Sequence, residues 1–132
     1  MTKVLIVDDL KSAREMIRDI LASDPDIHVC GMADTAADAI DLLKKHHPHL
    51  VIVDSCLKQT SGYDVAEAIM KVRPTPIVMV ANASDTLKIV PARAFDSGVL
   101  EVIQKGDLYR WRTQPDVAAG FIRKIKLMSK VS

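Results

Sequence analysis

Five short apolar runs punctuate the chain, and three of them lead straight into charge. Val4–Val7 stops at Asp8 and Asp9, Leu50–Val53 stops at Asp54, and Val102 and Ile103 lie just before Lys105. Runs of this length and continuity fit strands buried on both faces. Between them the period changes. Ala13, Met16, Ile17, Ile20 and Leu21 recur at helical spacing, with Ser12 as the expected cap and Asp24-Pro25 as the turn that follows. Ile27–Met32 reads as a second strand, interrupted by His28 and Gly31. Ala36, Ala39, Ile40 and Leu43 mark a second helix, stopped by His46-His47-Pro48 because the residue before a proline avoids the helical region. Leu50–Val53 is the third strand, Val65–Met70 a third helix with Gly62 in the loop before it, Ile77–Val80 the fourth strand and Val99–Ile103 the fifth. Proline is tolerated at the first helical position and disfavoured inside, so a helix is expected to start near Pro91, after a long loop over 81–90. Thr113-Gln114-Pro115-Asp116 reads as a capping box ahead of a last helix with Val117, Phe121, Ile125 and Met128 on its apolar face. Strand and helix alternate five times, which predicts right-handed crossovers and one layered α/β domain over residues 1–132.

If the strands are parallel, one edge of the sheet collects Asp8, Asp9, Asp54 and Lys105. Crowded carboxylates repel one another, and the usual remedy is a hard divalent cation such as Mg²⁺, which takes oxygen ligands and keeps some of its water. Such a site suits phosphate chemistry, with Asp54 best placed to accept a phosphoryl group. At 132 residues, 48% hydrophobic and 27% charged, the chain can bury one modest core. A net charge of +1 does not point to nucleic acid, although six of the last residues from Tyr109 onward are Lys or Arg against one Asp. Arg123, Lys124, Lys126 and Lys130 in that stretch read as the solvated face of an amphipathic helix, and nucleic acid is not an expected partner. His46, His47 and His49 straddle a helix stop opposite the acidic edge, and with His28 they are read as polar surface and not as metal ligands. Cys30 and Cys56 lack a CxxC spacing and suit a reduced compartment. No run approaches the ~20 apolar residues of a membrane span, so a cytoplasmic location is expected.

Taken jointly, V-L-I-V-D-D at 4–9, V-I-V-D at 51–54, G-Y-D at 62–64, P-I-V-M-V at 76–80 and Lys105 resemble the response regulator receiver domains of two-component signalling. P-T-P-I-V-M-V, the extended connection to Gly98 and the long stretch after Lys105 make the chain most similar to the receiver of the chemotaxis methylesterase. The resemblance implies a flavodoxin-like sheet of five parallel strands ordered 2-1-3-4-5, with helices on both faces and the site at the carboxyl ends of strands 1, 3 and 5, in keeping with ligand placement in open α/β sheets. It implies Asp54 as phosphoacceptor, Asp9 as a direct Mg²⁺ ligand, Asp8 as one acting mostly through water, and Cys56 as a ligand through its backbone carbonyl. Lys105 would pair with Asp54 at rest and with the phosphoryl oxygens afterwards.

The chain also departs from the family. The Thr or Ser expected at the end of the fourth strand is Ala81, the aromatic of the fifth strand is Val102, the Met-Pro after the acceptor is Leu57-Lys58, and the proline after the site lysine is Gly106. Asn82 and Ser84 are near enough in sequence to replace the missing hydroxyl. Two functions therefore stay open. One is a receiver that takes a phosphoryl group from a histidine kinase or small phosphodonor and changes partner on the face of the fourth helix, fifth strand and last helix, including as a homodimer. The other is a pseudo-receiver that binds protein without phosphate. No turnover beyond phosphoryl uptake and autodephosphorylation is expected, since a hydrolase domain would need well over ~100 further residues.

Overall fold

The computed structural model describes residues 1–82 and 96–131. Its strands are β1 (Thr2–Val7), β2 (Ile27–Ala33), β3 (Leu50–Asp54), β4 (Ile77–Ala81) and β5 (Val99–Gln104), joined into one parallel sheet ordered β2-β1-β3-β4-β5. The described helices are α1 (Lys11–Ala22), α2 (Ala36–His46), α3 (Gly62–Val72), the single turn α4 (Lys105–Leu108) and α5 (Pro115–Met128). The expected loop over 81–90 and the helix start near Pro91 fall largely outside the described residues.

Each central strand divides its side chains between two cores because successive residues point to opposite faces. Leu5, Val7, Val51 and Val53 pack with Leu43 of α2 and Ala66 and Ile69 of α3. Val4, Ile6, Leu50 and Ile52 pack with Ile17 and Ile20 of α1 and Phe121 and Ile125 of α5. All eight strand residues are fully buried, which explains why these strands read as unbroken apolar runs. Two one-residue bulges interrupt the pairing. Cys30 is skipped on β2, where Val4 pairs with Val29 and Leu5 with Gly31, and Leu100 is skipped on β5, where Ile77 pairs with Val99 and Val78 with Glu101.

Helix ends correct the expected caps. Thr35 and Ser61 cap α2 and α3 by accepting from Asp38 N and Asp64 N, both at 3.2 Å, and His47 closes α2 in the left-handed conformation at φ 48°. Ser12 does not cap α1, which already begins at Lys11. The Asp8 Oδ1 atom accepts from Leu10 N at 2.9 Å instead, so an acid of the sheet edge closes the turn into the helix. The Thr113 capping box does not form either. Gln114 precedes α5, Pro115 opens it, and the Thr113 hydroxyl donates to Arg110 O at 3.3 Å. Gly62 is the first residue of α3 and not part of a loop, and a Cβ there would stand 2.3 Å from the Asp54 carbonyl oxygen, so this glycine lets the helix start against the end of β3.

Candidate functional site

The register brings the carboxyl ends of β1, β3 and β5 to one edge: Val7 pairs with Val53, Asp54 with Val80, and Val80 with Ile103. Immediately beyond lie Asp8 and Lys105, the latter opening α4. Asp8, Asp54 and Lys105 are 0%, 3% and 3% exposed, so their charges are withdrawn from water and must satisfy one another. Lys105 Nζ lies 2.9 Å from Asp54 Oδ2 and 2.7 Å from Asp8 Oδ2. The pairing expected from sequence, Lys105 with Asp54 alone, is thus extended to a shared ammonium. Asp54 Oδ1 accepts from Cys56 N at 3.3 Å, while Asp8 N donates to Ala33 O at 3.0 Å and Arg14 Nη1 donates to Asp8 O at 2.7 Å.

One ammonium does not balance this cluster. Carboxylate oxygens of Asp8, Asp9 and Asp54 lie within 4.8 Å of one another, so among the described residues three acids share the Lys105 ammonium. Burial, reinforced by the Asp8 charge, pushes the Asp54 carboxyl up from 3.8 to about 6 in spite of the Lys105 and Cys56 hydrogen bonds. Burial alone would pull the Lys105 ammonium down, but the two carboxylates outweigh it and hold it above the ordinary lysine range. An all-oxygen set with surplus negative charge fits a hard divalent cation. Asp9 is half-buried and opens on a cavity of about 420 Å³ lined by Asp34, Thr35, Leu57 and Lys58.

The other expected site positions, Cys56, Ala81, Val102 and Gly106, bring no carboxylate or ammonium to this cluster. The Cys56 residue is exposed and faces Ser61 across a short bridge closed by Gly62 N to Ser55 O at 2.9 Å and Leu57 N to Thr60 O at 3.1 Å, a pairing that does not use the Cys56 carbonyl. Ala81 is fully buried at the end of β4, Val102 packs against the α2–α3 core, and a side chain at Gly106 would meet open space. Asn82 is exposed, and Ser84 lies outside the described residues. His49 Nδ1 accepts from Lys3 N at 2.9 Å and His46 O accepts from Lys3 Nζ at 2.7 Å, which puts these histidines at the opposite edge of the sheet. Lys126 bridges Asp24 at 2.9 Å and Asp26 at 3.6 Å, so the basic face of α5 is partly neutralised. Sequence reasoning missed Arg14; its only signal is a basic residue one helical turn into α1.

The profile of the response regulator receiver domain matches residues 4–108, most of the chain and the whole acidic edge. The chain belongs to the response regulator receiver family. Within it, the receiver is similar to proteins described as protein-glutamate methylesterase/protein-glutamine glutaminase, with 32% identity over 98% of the chain for the protein of Hydrogenovibrio crunogenus and 35% over 99% for one from Syntrophus aciditrophicus. The chain spans 35% and 37% of the length of those relatives. Among solved structures it superposes on the response regulator domain of Thermotoga maritima CheB with a TM-score of 0.86 and 26% identity, covering 100% of this chain and 98% of that one. The receiver thus has the expected 2-1-3-4-5 flavodoxin-like fold, and its resemblance to the methylesterase receiver holds. No helix among the described residues is long and apolar enough to cross a membrane.

Proposed function

We propose that this receiver accepts a phosphoryl group on Asp54 and thereby changes its affinity for a protein partner in chemotaxis-type signalling. The shared Lys105 ammonium between Asp54 and Asp8 is the observation that carries the reading, because it holds two buried carboxylates together at the carboxyl end of the sheet, where a phosphoryl group can reach Asp54. Burial and the Asp8 charge raise the Asp54 carboxyl to about 6, so it is a more basic oxygen nucleophile than a surface carboxylate. A carboxylate oxygen of Asp54 forms the new O–P bond, the bond from phosphorus to the donor's nitrogen or oxygen breaks, and its electron pair leaves with the donor. Lys105 then turns from the carboxylate to the phosphoryl oxygens. Asp8, Asp9, Asp54 and the Cys56 carbonyl would hold Mg²⁺, with Asp8 acting mostly through water. When bound, the ion supplies positive charge that offsets the phosphoryl oxygens.

The donor would be a histidine kinase or a small acyl phosphate, and the partner face the one built on β5 and α5. The relatives' methylesterase chemistry is not assigned to these residues; a receiver module regulates such an activity and does not perform it. Intact-mass measurement after incubation with acetyl phosphate and Mg²⁺ tests the reading. One added phosphoryl on the native chain and none on Asp54→Asn supports it. A native chain that takes none would make this a phosphate-independent binding module, in line with the missing hydroxyl at Ala81.

A further inference from the structure

A groove of about 340 Å³ runs between α1 and the segment that leaves α4, lined by Ser12, Glu15, Met16 and Asp19 on one wall and Tyr109, Trp111 and Arg112 on the other. Both walls begin a few residues after the buried ion pair. The α1 wall starts four residues after Asp8, whose Oδ1 closes the turn at Leu10 N, and the second wall starts four residues after Lys105, at the end of the one-turn helix that Lys105 opens. Across the open part of the groove the polar contact is weak. Arg112 Nη2 lies 3.8 Å from Asp19 Oδ2 with Arg112 73% exposed, and the Arg112 guanidinium sits 5.0 Å from the Trp111 ring centroid. An exposed pair of that length contributes little. By contrast, Lys105 to Asp8 spans 2.7 Å between side chains almost wholly withdrawn from water. Beneath the groove Met16 and Trp111 pack on the core that Leu108 shares with Ile17 and Ile20 of α1, so the walls share an apolar floor and their strongest charged tie is at their roots.

We infer that the Lys105–Asp8 pair is a staple that sets the width of the groove between α1 and the Tyr109–Arg112 segment, and that charge arriving at the acidic edge opens the groove by drawing the pair apart. The inference rests on the reading of this edge as a cation and phosphoryl site, and extends it to a second surface. Asp8, Asp9 and Asp54 would hold a dication, directly or through its water, and its charge would weaken the hold of these carboxylates on the Lys105 ammonium. A phosphoryl on Asp54 draws Lys105 toward its own oxygens. Either event weakens the buried ion pair that joins the root of α1 to α4, and each wall begins close enough to that pair in sequence to follow it. The route does not use β4, where Ala81 offers no hydroxyl to pull on.

Trp111 is the sole tryptophan of the chain, so the groove carries its own reporter. Titration of the native chain with Mg²⁺, with binding measured by calorimetry and the state of Trp111 by emission and acrylamide quenching, tests the coupling. Saturable binding should bring a red shift and a quenching constant raised about twofold, as for a segment loosened locally. In metal-free buffer Asp8→Asn should already show the raised quenching, because its amide can keep the Leu10 bond but not the ion pair. Circular dichroism identifies a folded variant, and Asp8→Glu, which retains the charge, supplies a second probe that should quench like the native chain. Binding of Mg²⁺ with an unmoved Trp111 signal overturns the inference, as does native quenching in folded Asp8→Asn. Absence of Mg²⁺ binding would instead refute the cation site, while the two Asp8 variants would still decide the staple.

Discussion

Substituting Asp54 by Asn should stabilise the metal-free protein at neutral pH, and only there. Asp54 is almost fully buried, and its carboxyl is raised from 3.8 to about 6 by burial and by Asp8, net of what Lys105 and Cys56 return to it. At ~1.36 kcal/mol per pH unit, that rise corresponds to an ionised Asp54 costing the fold on the order of 3 kcal/mol. Asn removes the charge but brings a buried amide that must find its own partners, so a gain of about 1–2 kcal/mol is expected. The sign follows from the direction of the shift. A carboxyl raised in the folded state carries no penalty below its unfolded value of 3.8; the penalty grows as pH climbs toward about 6 and is complete above it. The native protein should therefore lose stability over this window from this group, and Asp54→Asn should not. Urea melts in chelator at three pH values, two within the window and one well above it, supply the measurement, with equal slopes required of both proteins. Added Mg²⁺ should reverse the order by binding the native chain more strongly. A variant less stable than native in chelator at neutral pH, or a gain that does not shrink as the acid is neutralised, would refute the reasoning.

Lys105→Met leaves the buried Asp8 and Asp54 without their shared ammonium, and should lower stability by about 3–5 kcal/mol in neutral chelator buffer, with part of the loss recovered at low pH or by Mg²⁺ in the same melts. Gly62→Ala drives a Cβ toward the Asp54 carbonyl and should cost about 1–3 kcal/mol or more, with amide shifts at Asp54 and Ser55 as the structural check. Beryllofluoride, as a phosphoryl mimic, should move amides at Asp8–Leu10, Asp54–Leu57 and Lys105–Leu108 while leaving β4 nearly still, because Ala81 has no donor; large shifts through β4 would show that another hydroxyl or amide has taken that part.

The sheet was legible because its central strands are buried on both sides, so burial writes itself as Leu50–Val53 and Val4–Val7 with no polar break. Asp54 and Asp8 were legible for the complementary reason: an acid directly after such a run has nowhere to go but the strand end. What escaped depended on distance in the chain. Asp8 as the closure of α1 could not be separated from the hydroxyl of Ser12, since both offer an oxygen near the helix start and only the tertiary position of Lys105 fixes the carboxylate. Thr113 had the residue type of a cap, but the turn that follows α4 directs its hydroxyl back to Arg110. The sharing of Lys105 by two acids, and the reach of Arg14 to the Asp8 carbonyl, are products of packing that no local pattern encodes.

The bulge at Leu100 has a consequence for which side of the sheet the chemistry occupies. In register, Asp54, Val80 and Ile103 share one row, facing α1 and α5, and Lys105 follows Ile103 by two. Val99 faces the other side, with α2 and α3. Counted by strict alternation from Val99, every odd position through Ile103 would face α2 and α3, away from both carboxylates; the skipped residue reverses the count. A β5 that drew Leu100 into regular pairing would therefore keep every residue of the acidic edge and still turn the strand end that leads into Lys105 toward the wrong side. Removing Leu100 altogether would do the opposite, leaving a regular strand with Lys105 still beside the acids. Parity, set by whether one side chain with no part in the chemistry is counted or passed over, decides whether the acids and the base ever meet.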